Sequence, residues 1–265
     1  MGPRGRGDKP GAPLYCAIPR QCAAMNPTLR RMFRILALLV VGWLALSCWV
    51  VIVLRFVPPW TSAMMMERRV ELLFDGENVD FRHRWVPWNE VSPHVGIAMV
   101  AGEDQKFPFH HGFDVDAIQD AIDAADEGRR LRGASTISQQ VAKNLFLWNG
   151  RSFVRKGLEA WYTVLIETFW PKRRILEVYM NIVELGDGVY GVGAASDAFF
   201  HEPPSRIGAA QAARLAAVLP NPRRFHADQP SAYVQRRTAW ILQQMGQLGG
   251  PGYLDRPAPV RGRTR

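Results

Sequence analysis

No cysteine occurs after residue 48; the three in the chain are Cys16, Cys22 and Cys48. The long remainder therefore forms no internal disulfide and must be held by packing alone. Acid is nearly absent from the two ends. Residues 1–34 carry seven basic side chains against Asp8, and residues 256–265 carry four arginines and no acid. Between residues 55 and 255 the balance is 22 basic to 23 acidic. The formal net charge of +9 thus sits at the termini. A nucleic-acid reader needs a basic face on its folded body, so this distribution argues against nucleic acid as a partner. Sustained alternation of apolar and polar residues is missing, as is any internal repeat, which argues against β-sandwich and solenoid architectures.

One segment lacks charge altogether. Ile35 to Leu54, ILALLVVGWLALSCWVVIVL, runs for twenty uncharged residues, close to the ~20 that cross a hydrocarbon core as a helix. Arg30, Arg31 and Arg34 precede it and Arg55 follows. The upstream cations favour a cytoplasmic N-terminus with the rest outside. A cleavable signal peptide has a shorter apolar core. A lipid anchor at Cys48 fits poorly, because apolar sequence continues past it. The reading is an uncleaved single-pass anchor over 35–54, preceded by a basic, Gly/Pro-rich segment 1–34. A main domain over 55–250 and a basic tail over 251–265 follow.

Helical spacing dominates that domain. The pattern predicts helices from Pro93 to about Glu103, from an N-cap at Asp114 through Ile118, Ala121, Ile122 and Ala125, and from a cap at Ser135 through Ile137, Val141 and Leu145. Further helices are predicted over Phe153 to Trp170, bounded by Pro171, and over Ile175 to Val183, Ser205 to Leu219 and Ser231 to Leu248. Residues 55–90 show no clear period, and Val70–Phe74 reads equally as a short strand or a helix end.

Three segments hold the chemistry-bearing side chains. In the first, two adjacent acids, Glu103 and Asp104, close an apolar helix and are followed by Phe107, His110 and Gly112. Solvated acids at a helix end are the bland reading. The second, Gly133-Ala-Ser135-Thr136-Ile-Ser138-Gln139-Gln140-Val-Ala-Lys143-Asn144, leads a loop into a helix whose first N–H groups would be open to an anion; an ordinary N-cap by Ser135 or Thr136 explains it as well. The third, Arg151 to Glu159, sets Arg151, Arg155 and Lys156 before one acid, which on a helix is also the pattern of surface ion pairs.

Taken in order, these segments resemble the penicillin-binding-protein type of peptidoglycan glycosyltransferase, glycosyltransferase family 51, and within it the stand-alone, monofunctional transglycosylases. The resemblance covers about residues 85–225. It continues through Lys172, Ile175-Leu176-Glu177, Tyr179 and Asn181, and through Tyr190-Gly191-Val192 to Ala194-Ala195. Ser138 stands where the family usually has threonine and keeps the hydroxyl. The resemblance implies a mainly α, lysozyme-like domain with a small membrane-facing subdomain after one transmembrane helix.

The activity implied is polymerisation of lipid II. The 4-hydroxyl of one sugar attacks the anomeric carbon of a lipid-linked chain, polyprenyl pyrophosphate leaves, and α becomes β. By resemblance Glu103 is the base, and Glu159 is a second carboxylate that orients the cations, holds a divalent cation or acts as an acid. Lys143, Arg151, Arg155 and Lys156 suit a pyrophosphate, where Arg offers a fork and Lys a point charge. Ser135, Thr136, Gln139, Gln140 and Asn144 are expected to contact sugar or phosphate. Asp104, Phe107, His110, Gly112, Tyr179 and Asn181 are expected to support them. The resemblance allows Mg²⁺ or another divalent cation and no organic cofactor. The implied partners are lipid II, the growing glycan strand, the inner membrane and other cell-wall synthesis proteins. A glycan-cleaving enzyme of similar fold and a non-enzymatic cell-wall scaffold are the rival readings; the first has no pyrophosphate to neutralise, and the second has no use for the whole set. No Ser-x-x-Lys or Lys-Thr-Gly occurs, so peptide cross-linking by a penicillin-reactive serine is not expected. Lastly, Phe146, Leu147, Trp148 and Phe153 interleave with Arg151, Arg155 and Lys156. That mixture suits a membrane interface, with burial of Trp148 and Phe153 in the core as the alternative.

Overall fold

The computed structural model describes residues 26–76, 79–117 and 135–255, together with residues 2, 119 and 123. The chain divides into two units, Met1–Ala45 and Leu46–Arg265. Helix α1 (Pro27–Phe56) starts in the first and ends in the second. It is 30 residues long, ~45 Å at 1.5 Å per residue. That is longer than the uncharged run, because the helix already covers Thr28 to Arg34 before the apolar stretch begins. Among the described residues it is the one helix long and apolar enough to cross a membrane. Within the first unit Leu36, Leu38 and Leu39 are exposed.

In the second unit the last turns of α1 are packed. Ser47 and Val51 are buried. The indole of Trp161 donates to Ser47 Oγ (3.1 Å) and that of Trp170 to the Val51 carbonyl (2.7 Å). Arg174 donates from Nε and Nη2 to the Leu54 carbonyl and from Nη2 to that of Val57. A helix end leaves carbonyls without partners, and an arginine is a suitable donor for them. Ser62 then caps α2 (Ala63–Asp75), which stops at Gly76 in the left-handed region, φ 67°. Val70–Phe74 is therefore a helix end.

The core is built round α3 (Pro93–Glu103), capped by Ser92 with proline in its first turn. Residues Val95 to Ala101 are all buried. A helix apolar on every side needs neighbours on every side. It packs chiefly against α8 (Ala209–Val218) and α9 (Ala232–Leu248). Small residues at Gly102 and Ala216 let α3 and α8 come close. Helices α4 (Ile137–Phe146), α5 (Phe153–Phe169) and α6 (Lys172–Ile182) form the other side. Pro171 sits at the α5–α6 boundary, as its sequence position predicts. The predicted helix over 205–219 is split, with a single turn at Pro204–Arg206 and α8 starting after Gly208.

Three strands of two or three residues, β1 (Arg82–His83), β2 (Glu184–Gly186) and β3 (Val189–Tyr190), form a sheet in the order β1-β3-β2. They are too short to show alternation. Helix α7 (Gly191–Phe200) follows from Gly191, whose φ is +77° and where a Cβ would lie 2.4 Å from the Asn181 carbonyl oxygen. The fold is mainly α, as the patterns predict. Asp114 accepts from the Ala117 N–H (3.1 Å), as an N-cap does. Residues 115–117, 119 and 123 are helical; Ile118, Ala121, Ile122 and Ala125 of that predicted helix, Gly133, and most of the two terminal segments lie outside the described residues.

Candidate functional site

Glu103 is the last residue of α3, and its side chain is 18% exposed. Gln140 Nε2 donates to one carboxylate oxygen (3.1 Å), and Tyr179 OH donates to Gln140 Oε1 (3.0 Å), which fixes the orientation of the amide. Arg237 Nη2, from α9, lies 3.3 Å from the other oxygen. Burial pushes the Glu103 carboxyl above the usual carboxylate range; the Gln140 hydrogen bond and the Arg237 charge pull it back. Tyr179 is fully buried, and burial, then the charges of Glu103 and Asp104, hold its phenol well above its ordinary range. It therefore stays a neutral donor.

Asp104 turns inward. Its carboxylate receives His110 Nε2 (2.9 Å) and the backbone N–H of Ile137 (2.9 Å), the first residue of α4. His110 Nδ1 accepts from the Gly112 N–H (3.1 Å), so Nε2 carries the proton given to Asp104. Phe107 is buried beneath Lys172, whose ammonium sits 4.6 Å from the ring centroid. Gly112 has φ +86°, and a Cβ there would meet Thr163 at 2.7 Å. The Asp104–Gly112 segment is thus a clasp that fixes the end of α3 against the start of α4.

That clasp decides between the readings of the start of α4. The anion at the start of α4 is Asp104 itself, which already holds one of the helix's free N–H groups. Of the two hydroxyl residues that could cap α4, Ser135 and Thr136, the cap is Thr136. Its hydroxyl accepts from Gln139 N (3.2 Å) while Gln139 Oε1 accepts from Thr136 N (3.0 Å), a reciprocal capping box. The Thr136 hydroxyl also donates to the Gly112 carbonyl (2.7 Å). Thr136 and Gln139 are buried and committed to one another, whereas Ser135 is exposed. Ser138 donates its hydroxyl to Glu167.

On the other side of Gln140 the cations gather. Arg155 Nη1 donates to Glu159 (2.7 Å), and Lys156 pairs with the second Glu159 oxygen. Glu159 is buried. Lys143, one turn after Gln140 on α4, has its ammonium pushed below its usual range by burial and by the charge of Arg155; Glu159 and Glu67 oppose this. Ser152 caps α5 through the Arg155 N–H (3.1 Å), while Arg151 precedes the helix and is exposed. Asn181 is fully buried and pairs with the Val86 backbone through both N–H and carbonyl.

Two clefts meet at the Glu103–Gln140 pair. One, of about 410 Å³, is lined by Gln140, Lys143 and Asn144 from α4, Arg68 from α2, and Asn221 and Arg223 from the segment after α8. The other, of about 210 Å³, is lined by Glu103, Lys106, Asp114, Ser135 and Thr136. Sequence reasoning missed Arg68, Arg223 and Arg237. None lies in a motif with Glu103, and only the packing of α2, α8 and α9 brings them in. Both Glu159 oxygens are taken by cations. Among the described residues no three His, Cys, Asp or Glu side chains stand together as a metal site. This donor set does not fit a resident divalent cation.

A half-buried acid between two clefts, with paired cations to one side, sits on a mainly helical scaffold. The transglycosylase family model matches residues 72–246. The biosynthetic peptidoglycan transglycosylase of Chromohalobacter salexigens is 55% identical over 228 residues, covering 86% of this chain and 97% of its own. That of Pseudomonas syringae pv. tomato is 55% identical over 227 residues, covering 86% and 94%. That of Pseudomonas entomophila is 53% identical over 230 residues, covering 87% and 96%. The chain belongs to the transglycosylase family, and it is a glycosyltransferase.

Proposed function

We propose that this peptidoglycan glycosyltransferase polymerises lipid II, passing a lipid-linked glycan chain to the 4-hydroxyl of the next molecule. The observation that carries the reading is the asymmetry of the site. Glu103 faces a small polar cleft, and across Gln140 the larger one is lined by Lys143, Arg68 and Arg223, with Arg155 and Lys156 close enough for their charges to act on Lys143. A hydroxyl in the small cleft gives its proton to the Glu103 carboxylate as its oxygen bonds to the anomeric carbon. The bond from that carbon to pyrophosphate breaks, and the leaving oxygen takes the electron pair. Charge grows on the pyrophosphate, where fixed cations stabilise it without reorganisation. Attack opposite the leaving group inverts the configuration.

Of the three roles open to Glu159, orientation of the cations suits its contacts, since each oxygen already holds one. Ser135 and Asn144, polar groups lining the two clefts, are assigned to sugar or phosphate. Arg151, outside the buried cluster, is assigned to the pyrophosphate's outer oxygens. Asp104, Phe107, His110, Gly112, Tyr179 and Asn181 act through the framework. The enzyme is read as single-pass in the inner membrane, with residues 1–34 inside and the catalytic domain in the periplasm, and as lacking transpeptidase activity. The arginines before Ile35 support that orientation.

Purified protein in detergent should convert lipid II to glycan strands and leave finished peptidoglycan uncut. Glu103→Gln should lower the rate by about 10²-fold or more, the scale of a general base. Activity within about tenfold of the parent would remove Glu103 as the base, and release of sugar from finished strands would favour the lytic reading.

A further inference from the structure

Arg237 lies on α9, 134 residues after Glu103 in the chain, yet its Nη2 reaches both Glu103 Oε1 and the Gly102 carbonyl, each at 3.3 Å. Its Nε is buried and has no hydrogen-bond partner among the described residues. Arg174 shows what an arginine that only joins elements looks like: Nε, Nη1 and Nη2 all donate, to the end of α1 and to Glu177. An incompletely bonded guanidinium beside a half-buried acid calls for another explanation. The two oxygens of Glu103 are divided between donors, Gln140 on one and Arg237 on the other. A carboxylate oxygen has room for two donors, so each keeps a position for an incoming hydroxyl.

We propose that Arg237 is a positioning residue for the transfer reaction: it holds the Glu103 carboxylate in its ionised form, turned to receive the acceptor hydroxyl's proton. This rests on the reading of Glu103 as the base. Lys106 shares the small cleft with Glu103, but its ammonium is paired with Asp114 and Asp116; the remaining groups facing Glu103 carry no positive charge. Asp104 beside it is acidic, Gln140 from α4 is neutral, and Tyr179 from α6 is held neutral by its burial. Helix α8 meets this end of α3 with Ala216. Tyr253, in the turn Pro251–Asp255, donates to the Gln105 carbonyl instead (2.6 Å). Arg237 is the cation whose charge acts on Glu103, and it opposes the effect of burial.

The test is the pH–rate profile of the full chain on lipid II in detergent, for the parent, Arg237→Gln and Arg237→Lys. A base works once deprotonated, so the rate climbs as pH rises through its titration. Arg237→Gln should move this acidic limb to higher pH and cut the rate at neutral pH by roughly tenfold, with most of the loss recovered at alkaline pH. Arg237→Lys, which keeps the charge, should hold the limb near its original place. A mere link between α9 and α3 would lower the melting temperature and scale the rate equally at every pH. An unmoved limb in a folded Arg237→Gln protein overturns the proposal. If that variant does not fold, Arg237→Met, which keeps the packed stem, takes its place; failure of both to fold makes Arg237 a structural tie and also overturns it. Glu103→Gln separates the two ideas. If it is inactive while the Arg237→Gln limb is unmoved, only the role of Arg237 fails; if it stays active, the base assignment fails first.

Discussion

Glu103 sits where ionisation is costly. Its carboxyl is raised by burial, so between the ordinary carboxylate pKa and the raised one the folded chain keeps a proton that the unfolded chain has lost. The stability linked to this group is complete below the unfolded pKa and falls as pH rises through the folded one. Glu103→Gln should therefore melt higher than the parent at neutral pH, by about 2–4 °C for each kcal/mol recovered, while losing activity. The difference should vanish below about pH 4, where the parent is protonated as well. Calorimetry across pH decides it; a lower melting temperature at neutral pH would show that the carboxylate's bonds outweigh its burial. The two cations on Glu159 should also differ. The Arg155 side chain is 12% exposed and that of Lys156 is 50% exposed, and a charge shielded from water acts more strongly. Arg155→Ala should cost about 2–4 kcal/mol of transition-state stabilisation, and Lys156→Ala clearly less, read from kcat/KM on lipid II. Equal losses would mean that burial does not rank them.

At the scale of elements, what was legible depended on how local the cause is. Helices with a clean apolar stripe and a marked boundary, such as α5 ending before Pro171 or α9 after Ser231, follow from the spacing. The cap of α4 was left between Ser135 and Thr136, although a deciding signal was present: glutamine stands three residues after Thr136, while serine stands three after Ser135. Helix α2 escaped because Met64, Met65 and Met66 give no period and Met66, Val70, Leu73 and Phe74 stay exposed. Strands of two residues leave no pattern to read. The segment after α4 divides between its two readings. Phe146 stacks on Tyr162 (centroids 4.3 Å apart) and Leu147 is buried, but Trp148 is 49% and Phe153 98% exposed. Core burial of Trp148 and Phe153 is thereby corrected. Those two and Val154 are exposed apolar side chains, as an outer-leaflet surface would use. Trp148→Ser with Phe153→Ser should leave helical circular dichroism intact, weaken binding to anionic liposomes and raise the apparent KM for lipid II. Unchanged liposome binding and kinetics would assign the rim elsewhere.

At the scale of the molecule, the site depends on residues far apart in the chain, and this is why motif order led to the family and to Glu103 but not to Arg237, Arg68 or Arg223. No spacing rule connects residue 103 with residue 237; the connection exists only once α9 lies against α3. The same holds for the end of α1. The uncharged run reads as a membrane helix and nothing more, yet from Ser47 onward it is tied to α5 and α6 by two indoles and an arginine. This matters to anyone who shortens the protein for crystallisation or assay. A cut at the end of the apolar run, near residue 55, would remove Ser47, Val51 and Leu54, to which Trp161, Trp170 and Arg174 donate, leaving Arg174 its bonds to Glu177 and Val57. A cut before Leu46 would spare them. The longer of two such truncated proteins should melt several degrees higher, at about 1 kcal/mol for each buried bond kept. Equal melting temperatures would mean that the final turns of the anchor, from Leu46 on, can be discarded with the rest.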